Sequence, residues 1–359
     1  MILMIDNFKI SQLIELTRKK FNLPAIAVCI VNSSGVLMAD VQGVKYAGSN
    51  EEVSLNDYFH IGSCSKSFLG IIAVKVIEQK LIKWETGFFD LFPELKKNTK
   101  SIYHKITLKD LFLCKAGIKP FTNLEKETLP QLPEGDDNNF YKFAKYLLNL
   151  EPAAKFGKNG FGFAYSNASY SMADLMIEKA TGLSYKQLVE KYINGDMKIE
   201  TIFGFPNKYN EKQPWGHMLN GKDLETFDPE CKYVLPALIS PAGDLSLTPL
   251  MFADYLIENL KGFKGESNFL KKDSFEFLHF GNKIFSIGLA NGKILGKNFS
   301  GMDGSAGTFF CRAFFFRDSD LAVLIMTNAG TSTGRMKSVD WLTMKIIKEI
   351  FNLRWKFWI

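Results

Sequence analysis

The spacing of apolar and polar residues changes period several times along the chain. Residues 8–21 carry apolar side chains at Ile10, Leu13, Ile14 and Phe21, which predicts an amphipathic helix. Pro24 then opens an apolar run over 25–31. The turn Asn32-Ser33-Ser34-Gly35 separates it from a second run over 36–41, so the pair predicts a β-hairpin. After a polar loop over 43–56, residues 68–74 are apolar and free of proline, which predicts a buried helix running to about Gln79. The middle of the chain reads as irregular over 80–98. A short helix follows, capped by Thr107 and ending near Gly117, then a long loop over 120–139 and helices over 140–150, 169–181 and 185–193. Residues 208–233, polar and aromatic with Trp215 and His217, read as a surface lobe. A helix over about 249–260 precedes strands at 285–289, 309–316 and 321–327 and a closing helix over 338–352. Asp318-Ser319-Asp320 makes a hairpin turn between the last two strands.

Strands thus fall at both ends of the chain and helices in the middle. The economical arrangement is an α/β fold in which residues 1–60 and 240–359 build one antiparallel sheet flanked by the terminal helices. Residues 61–239 form a mostly helical domain, and the cleft between the two is where a site is expected.

Composition narrows the function classes. The chain has 359 residues, 46% of them hydrophobic, enough for a sizeable core. The formal charge of +6 comes from interspersed Lys and Glu, with short clusters such as Arg18-Lys19-Lys20, which argues against nucleic-acid binding. Five scattered Cys and four well-separated His give no metal-ligand spacing. No apolar run reaches the length of a membrane span. The start shows no secretory signal, so the expected location is cytoplasmic, or periplasmic if a leader has been removed. The aromatic tail Trp355-Lys356-Phe357-Trp358 is expected to pack on the sheet rather than to anchor at a membrane surface.

Candidate chemistry concentrates in Phe59-His60-Ile61-Gly62-Ser63-Cys64-Ser65-Lys66. Residues three apart share a helix face, so Lys66 can lie beside Ser63 in the first turn of the buried helix. A hydroxyl becomes a useful nucleophile when a base takes its proton, and a Lys in a dry pocket can be that base. The helix N-terminus adds N–H groups that favour a developing negative charge. A second group, Tyr165-Ser166-Asn167, follows a glycine-rich loop. A phenol near a Lys can have a lowered pKa and relay protons, and an Asn amide can hold a carbonyl; alternatively Tyr165 is a core aromatic and Asn167 a helix cap.

Together these residues resemble the serine β-lactamase and penicillin-binding-protein superfamily, most closely its class C β-lactamases and their D-amino-acid peptidase and esterase relatives. The Ser-x-x-Lys motif falls at Ser63–Lys66 and the Tyr-x-Asn motif at Tyr165–Asn167. Leu91-Phe92-Pro93-Glu94-Leu95, the stretch from Ile106 to Gly117, Pro241-Ala242-Gly243 and Met326-Thr327-Asn328 match in order. The resemblance implies a β-lactamase-like fold and a serine hydrolase that forms an acyl-enzyme on Ser63, without metal or organic cofactor. It makes Lys66 the proton acceptor, Tyr165 the relay and Asn167 a substrate-positioning group. The third motif falls at Met302-Asp303-Gly304, and the N–H groups of Ser63 and Ser305 would form the oxyanion hole. Met302 stands where the family has Lys or His, with Asp303 expected to add negative charge nearby. That departure points to a neutral ester or amide substrate rather than a carboxylate-bearing β-lactam or D-peptide; a Lys or Arg from elsewhere, such as Lys115 or Arg335, filling the gap is the alternative, and with it a true class C-type β-lactamase or D-alanyl carboxypeptidase. A binding protein that has kept the fold but lost catalysis is the rival of a different class.

Overall fold

The structure is a computed structural model and describes residues 5–123, 127–132, 138–221 and 223–353. Its centre is a six-stranded antiparallel sheet made of β1 (Ala25–Asn32), β2 (Gly35–Gly43), β3 (Ala290–Ile294), β4 (Lys297–Ser305), β5 (Phe310–Phe316) and β6 (Leu321–Thr327). The strand order is β3-β4-β5-β6-β1-β2. Five helices matter for the site and its support: α1 (Asn7–Lys20), α2 (Ser65–Glu78), α3 (Asn167–Thr181), α4 (Pro249–Lys264) and α5 (Lys337–Ile350).

Both faces of the sheet are covered, which is why β1 and β6 read as continuous apolar runs. Successive side chains point to opposite faces. Ile26, Val28 and Ile30 of β1 therefore join Ile10 and Ile14 of α1 and Leu342 and Ile346 of α5 on the outer face. Ala25, Ala27, Cys29 and Val31 face the larger core shared with α2, α3 and α4.

Several expectations are corrected. Residues 285–289 form a turn, with the Ser286 N–H donating to the Leu289 carbonyl at 2.7 Å, and Gly288 takes a positive φ of 75° against the Lys66 backbone. The sheet edge is instead β3, whose polar sequence Ala-Asn-Gly-Lys-Ile carries little strand signal. The helix Lys272–Phe280 was not anticipated either. The stretch read as a surface lobe holds a hairpin, Gly216–Asn220 with Asp223–Phe227, that pairs in parallel with Ala329–Gly330. His217 is fully buried there. Its Nε2 accepts the Ala47 N–H at 3.1 Å, so its proton sits on Nδ1 and is donated to the Asn328 carbonyl at 2.8 Å. The tail at Trp355–Trp358 lies outside the described residues.

Candidate active site

The chain enters α2 through a 3₁₀ turn, Gly62–Cys64, so Ser63 sits just before the helix rather than within its first turn. Gly62 has a φ of 50°, in the left-handed region that favours glycine. Strand β4 ends against this turn. A Cβ on Gly62 would lie 2.3 Å from the Ser305 nitrogen, and one on Gly304 would lie 1.9 Å from the Ile61 carbonyl and 2.9 Å from the Ser63 nitrogen. Glycine at both positions lets the Ser63 and Ser305 backbones approach each other.

Lys66 is buried, at 1% exposure. Its Nζ donates to Ser63 Oγ at 3.0 Å, to Asn167 Oδ1 at 2.7 Å and to the Ala242 carbonyl at 2.8 Å. Burial pulls its pKa down from the ordinary lysine value to about 7. The half-buried Tyr165 brings its hydroxyl within hydrogen-bonding reach of Ser63, and Nζ of Lys66 lies 4.8 Å from the centre of its ring. Burial raises the Tyr165 pKa, opposite to the lowering expected from sequence, so near neutrality the group is a phenol. Ser166, not Asn167, caps α3, its Oγ accepting the Ser169 N–H at 2.9 Å. That leaves the Asn167 amide for the site. It accepts from Lys66 and donates to the Phe121 carbonyl at 2.8 Å.

The third motif separates into two faces. Met302, 6% exposed, turns into the core and does not line the cavity. Asp303 points to the opposite face, where it pairs with Arg312 on β5, and Arg312 also reaches Asp340 of α5 at 2.8 Å. Asp303 therefore adds no negative charge to the cleft, and its expected place among the substrate-binding side chains is not borne out. Strand alternation is the reason: neighbours on a strand face opposite ways.

A cavity of about 430 Å³ lies beside Asn167 and Ser305. Its lining is aromatic and aliphatic at Phe121, Phe205, Met218, Tyr233, Leu235 and Ile239 and hydroxylic at Thr331, Ser332 and Thr333. None of its described lining residues is charged, and Lys115 and Arg335 are not among them. Two contributors escaped sequence reasoning. The Ala242 and Phe121 carbonyls have no side-chain signature, although Pro241-Ala242-Gly243 had been marked as a matching segment.

The family model described as Beta-lactamase matches residues 10–346. The chain belongs to the Beta-lactamase family. Protein flp of Staphylococcus aureus (strain N315) is 22% identical over 223 residues, 62% of this chain and 43% of that protein. The chain thus spans less than half the length of this curated relative. Among solved structures, the octameric penicillin-binding protein homologue from Pyrococcus abyssi superposes with a TM-score of 0.75 at 19% identity, covering 97% of this chain and 78% of that one. The D-amino acid amidase from Ochrobactrum anthropi SV3 superposes at 0.74 with 16% identity, covering 96% and 99%. At these identities the likeness establishes the shared Beta-lactamase-like fold.

Proposed function

We propose that the protein is a serine hydrolase that transfers an acyl group from a neutral ester or amide to Ser63 and then to water. The observation that carries this reading is the setting of Lys66. A neutral amine has two N–H bonds and one lone pair. The Asn167 Oδ1 and Ala242 carbonyl acceptors occupy the two N–H bonds, so the lone pair faces Ser63 Oγ. With its pKa near 7, a useful fraction of Lys66 is neutral at physiological pH and takes the Ser63 proton as Oγ attacks the carbonyl. Tyr165, kept as a phenol, hands a proton to the leaving atom and regains one from Lys66. The Ser63 and Ser305 N–H groups stabilise the oxyanion. Water then attacks the acyl-enzyme, with the same groups acting in reverse.

The described lining of the cavity carries no charged side chain and position 302 supplies no cation, which supports a neutral acyl substrate over a carboxylate-bearing β-lactam or peptide. The test is whole-protein mass after a fluorophosphonate, together with kcat/KM for a neutral p-nitrophenyl ester and for nitrocefin. One adduct on wild type, none on Ser63→Ala, and a faster ester are expected. An adduct that persists in Ser63→Ala, or nitrocefin turned over far faster than the ester, overturns the reading.

A further inference from the structure

We infer that His60 is a positioning residue that fixes the nucleophile turn through its backbone, with Asp244 setting the ring's tautomer. The inference rests on the reading of Ser63 as nucleophile. His60 is fully buried and lies three residues before Ser63 in the chain. The Gly62 N–H donates to His60 Nδ1 at 3.2 Å. An accepting Nδ1 carries no proton, so the ring is neutral and its one N–H is at Nε2. That atom has no hydrogen-bond partner among the described residues, and Asp244 Oδ1 stands 3.6 Å from it. A carboxylate at that distance favours the N–H on the facing nitrogen over the lone pair, and so keeps Nδ1 free to accept.

The surroundings make this arrangement consequential. Asp244 is two residues beyond Ala242, whose carbonyl holds Lys66. The next residue, Leu245, accepts the Ile61 N–H at 2.9 Å and donates its own N–H to Ser65 Oγ at 3.2 Å. One short segment, 242–245, therefore sets the base through a carbonyl and the nucleophile turn through His60 and Leu245. The His60 ring stacks on Phe205, with centroids 4.5 Å apart, and Phe205 lines the cavity beside Asn167 and Ser305. His60 does not itself line that cavity. Its action on the reaction runs through Gly62, whose left-handed backbone aims the Ser63 N–H.

Two substitutions separate positioning from packing. His60→Leu keeps apolar bulk against Phe205 but leaves the Gly62 N–H buried without an acceptor. His60→Asn loses the stack, yet an Asn oxygen accepts the N–H two residues on, as in an Asx turn. Fluorophosphonate labelling of Ser63 should slow by about 10- to 100-fold in His60→Leu, the scale of one unsatisfied buried donor. It should stay within about threefold of wild type in His60→Asn, even though that variant has the lower Tm. For ester turnover the Leu variant should lose kcat with little change in KM. Hydrogen exchange supplies a readout that needs no catalysis: amide protection in the segment 61–64 should fall in His60→Leu and persist in His60→Asn. Labelling that follows Tm rather than the acceptor, or protection unchanged in His60→Leu, overturns the inference. A wild type that takes up no label fails the serine-hydrolase reading instead, and the exchange experiment still decides the role of His60.

Discussion

At the scale of single residues, Lys66 sets the pH dependence. Its pKa in the fold, about 7, lies below its ordinary value, and in the proposed reaction the neutral amine is the working base. Acylation should therefore rise with pH through about 7 and level off above it; a rate flat from pH 5.5 to 8.5 would contradict the assignment. The same shift acts on stability. Between pH 7 and the ordinary lysine value the unfolded chain binds a proton that the fold does not, so the fold gains stability as pH rises through that window. Tm measured at pH 7 and 9.5 should show that gain in wild type and a smaller one in Lys66→Met. Asp303 gives an opposite expectation. Because it faces Arg312 and not the cleft, Asp303→Asn should leave ester kcat/KM within about twofold, as for substitutions away from a site. Ser63, Lys66 and Asn167 were legible because side chains carry the signal over short spacings. The orientation of Asp303 was equally legible from strand alternation, but reading the motif as a block hid it. The direction of the Tyr165 shift was not legible, since burial is a property of the assembled fold.

At the scale of elements, the contact between β4 and the nucleophile turn is the demanding one. Gly304→Ala would place a methyl group 1.9 Å from the Ile61 carbonyl, which cannot be met without moving the strand end. Labelling of Ser63 should be lost, with a clear drop in Tm. Gly157→Ala is the control: its added methyl meets nothing nearer than the Gly160 carbonyl at 3.9 Å, and neither rate nor Tm should change much. Strands β1, β5 and β6 could be read directly because burial on both faces makes them largely apolar, Arg312 of β5 aside. Edge strand β3 could not, since one edge and much of its surface meet water. Residues 285–289 misled for the converse reason. Phe285, Ile287 and Leu289 alternate like a strand, yet they are buried by a turn packed on α2 and Tyr165.

At the scale of the whole molecule, two of the buried histidines, His217 and His279, weigh on the response to acid. Burial holds His279 down to about 3, with its ring nitrogens 3.0 Å from Ser300 Oγ and Asn259 Oδ1, and burial also lowers His217. Both are neutral in the fold and charge on unfolding, so their contribution is intact above the ordinary histidine value and is lost as pH falls below it. Buried Asp174, its pKa raised by burial, acts the other way, so the test is a difference: from pH 6.5 to 4.5 the Tm of wild type should fall relative to that of His279→Gln by roughly one proton's worth of slope. The α/β architecture was legible from the order of the runs, strands outside and helices between, because only one simple sheet accommodates that order. The pairing within it has a consequence for biogenesis. β1 lies between β2 and β6, and Ile26 pairs with Thr327, roughly 300 positions later. A nascent chain emerging from the ribosome can complete its local helices early, but β1 must wait for nearly the whole polypeptide before its second neighbour exists. During that interval an apolar strand, destined for burial on both faces, presents an open edge. Folding of this protein should therefore depend on chaperone cover during synthesis, and messages cut short before β6 should yield inclusion bodies rather than soluble fragments.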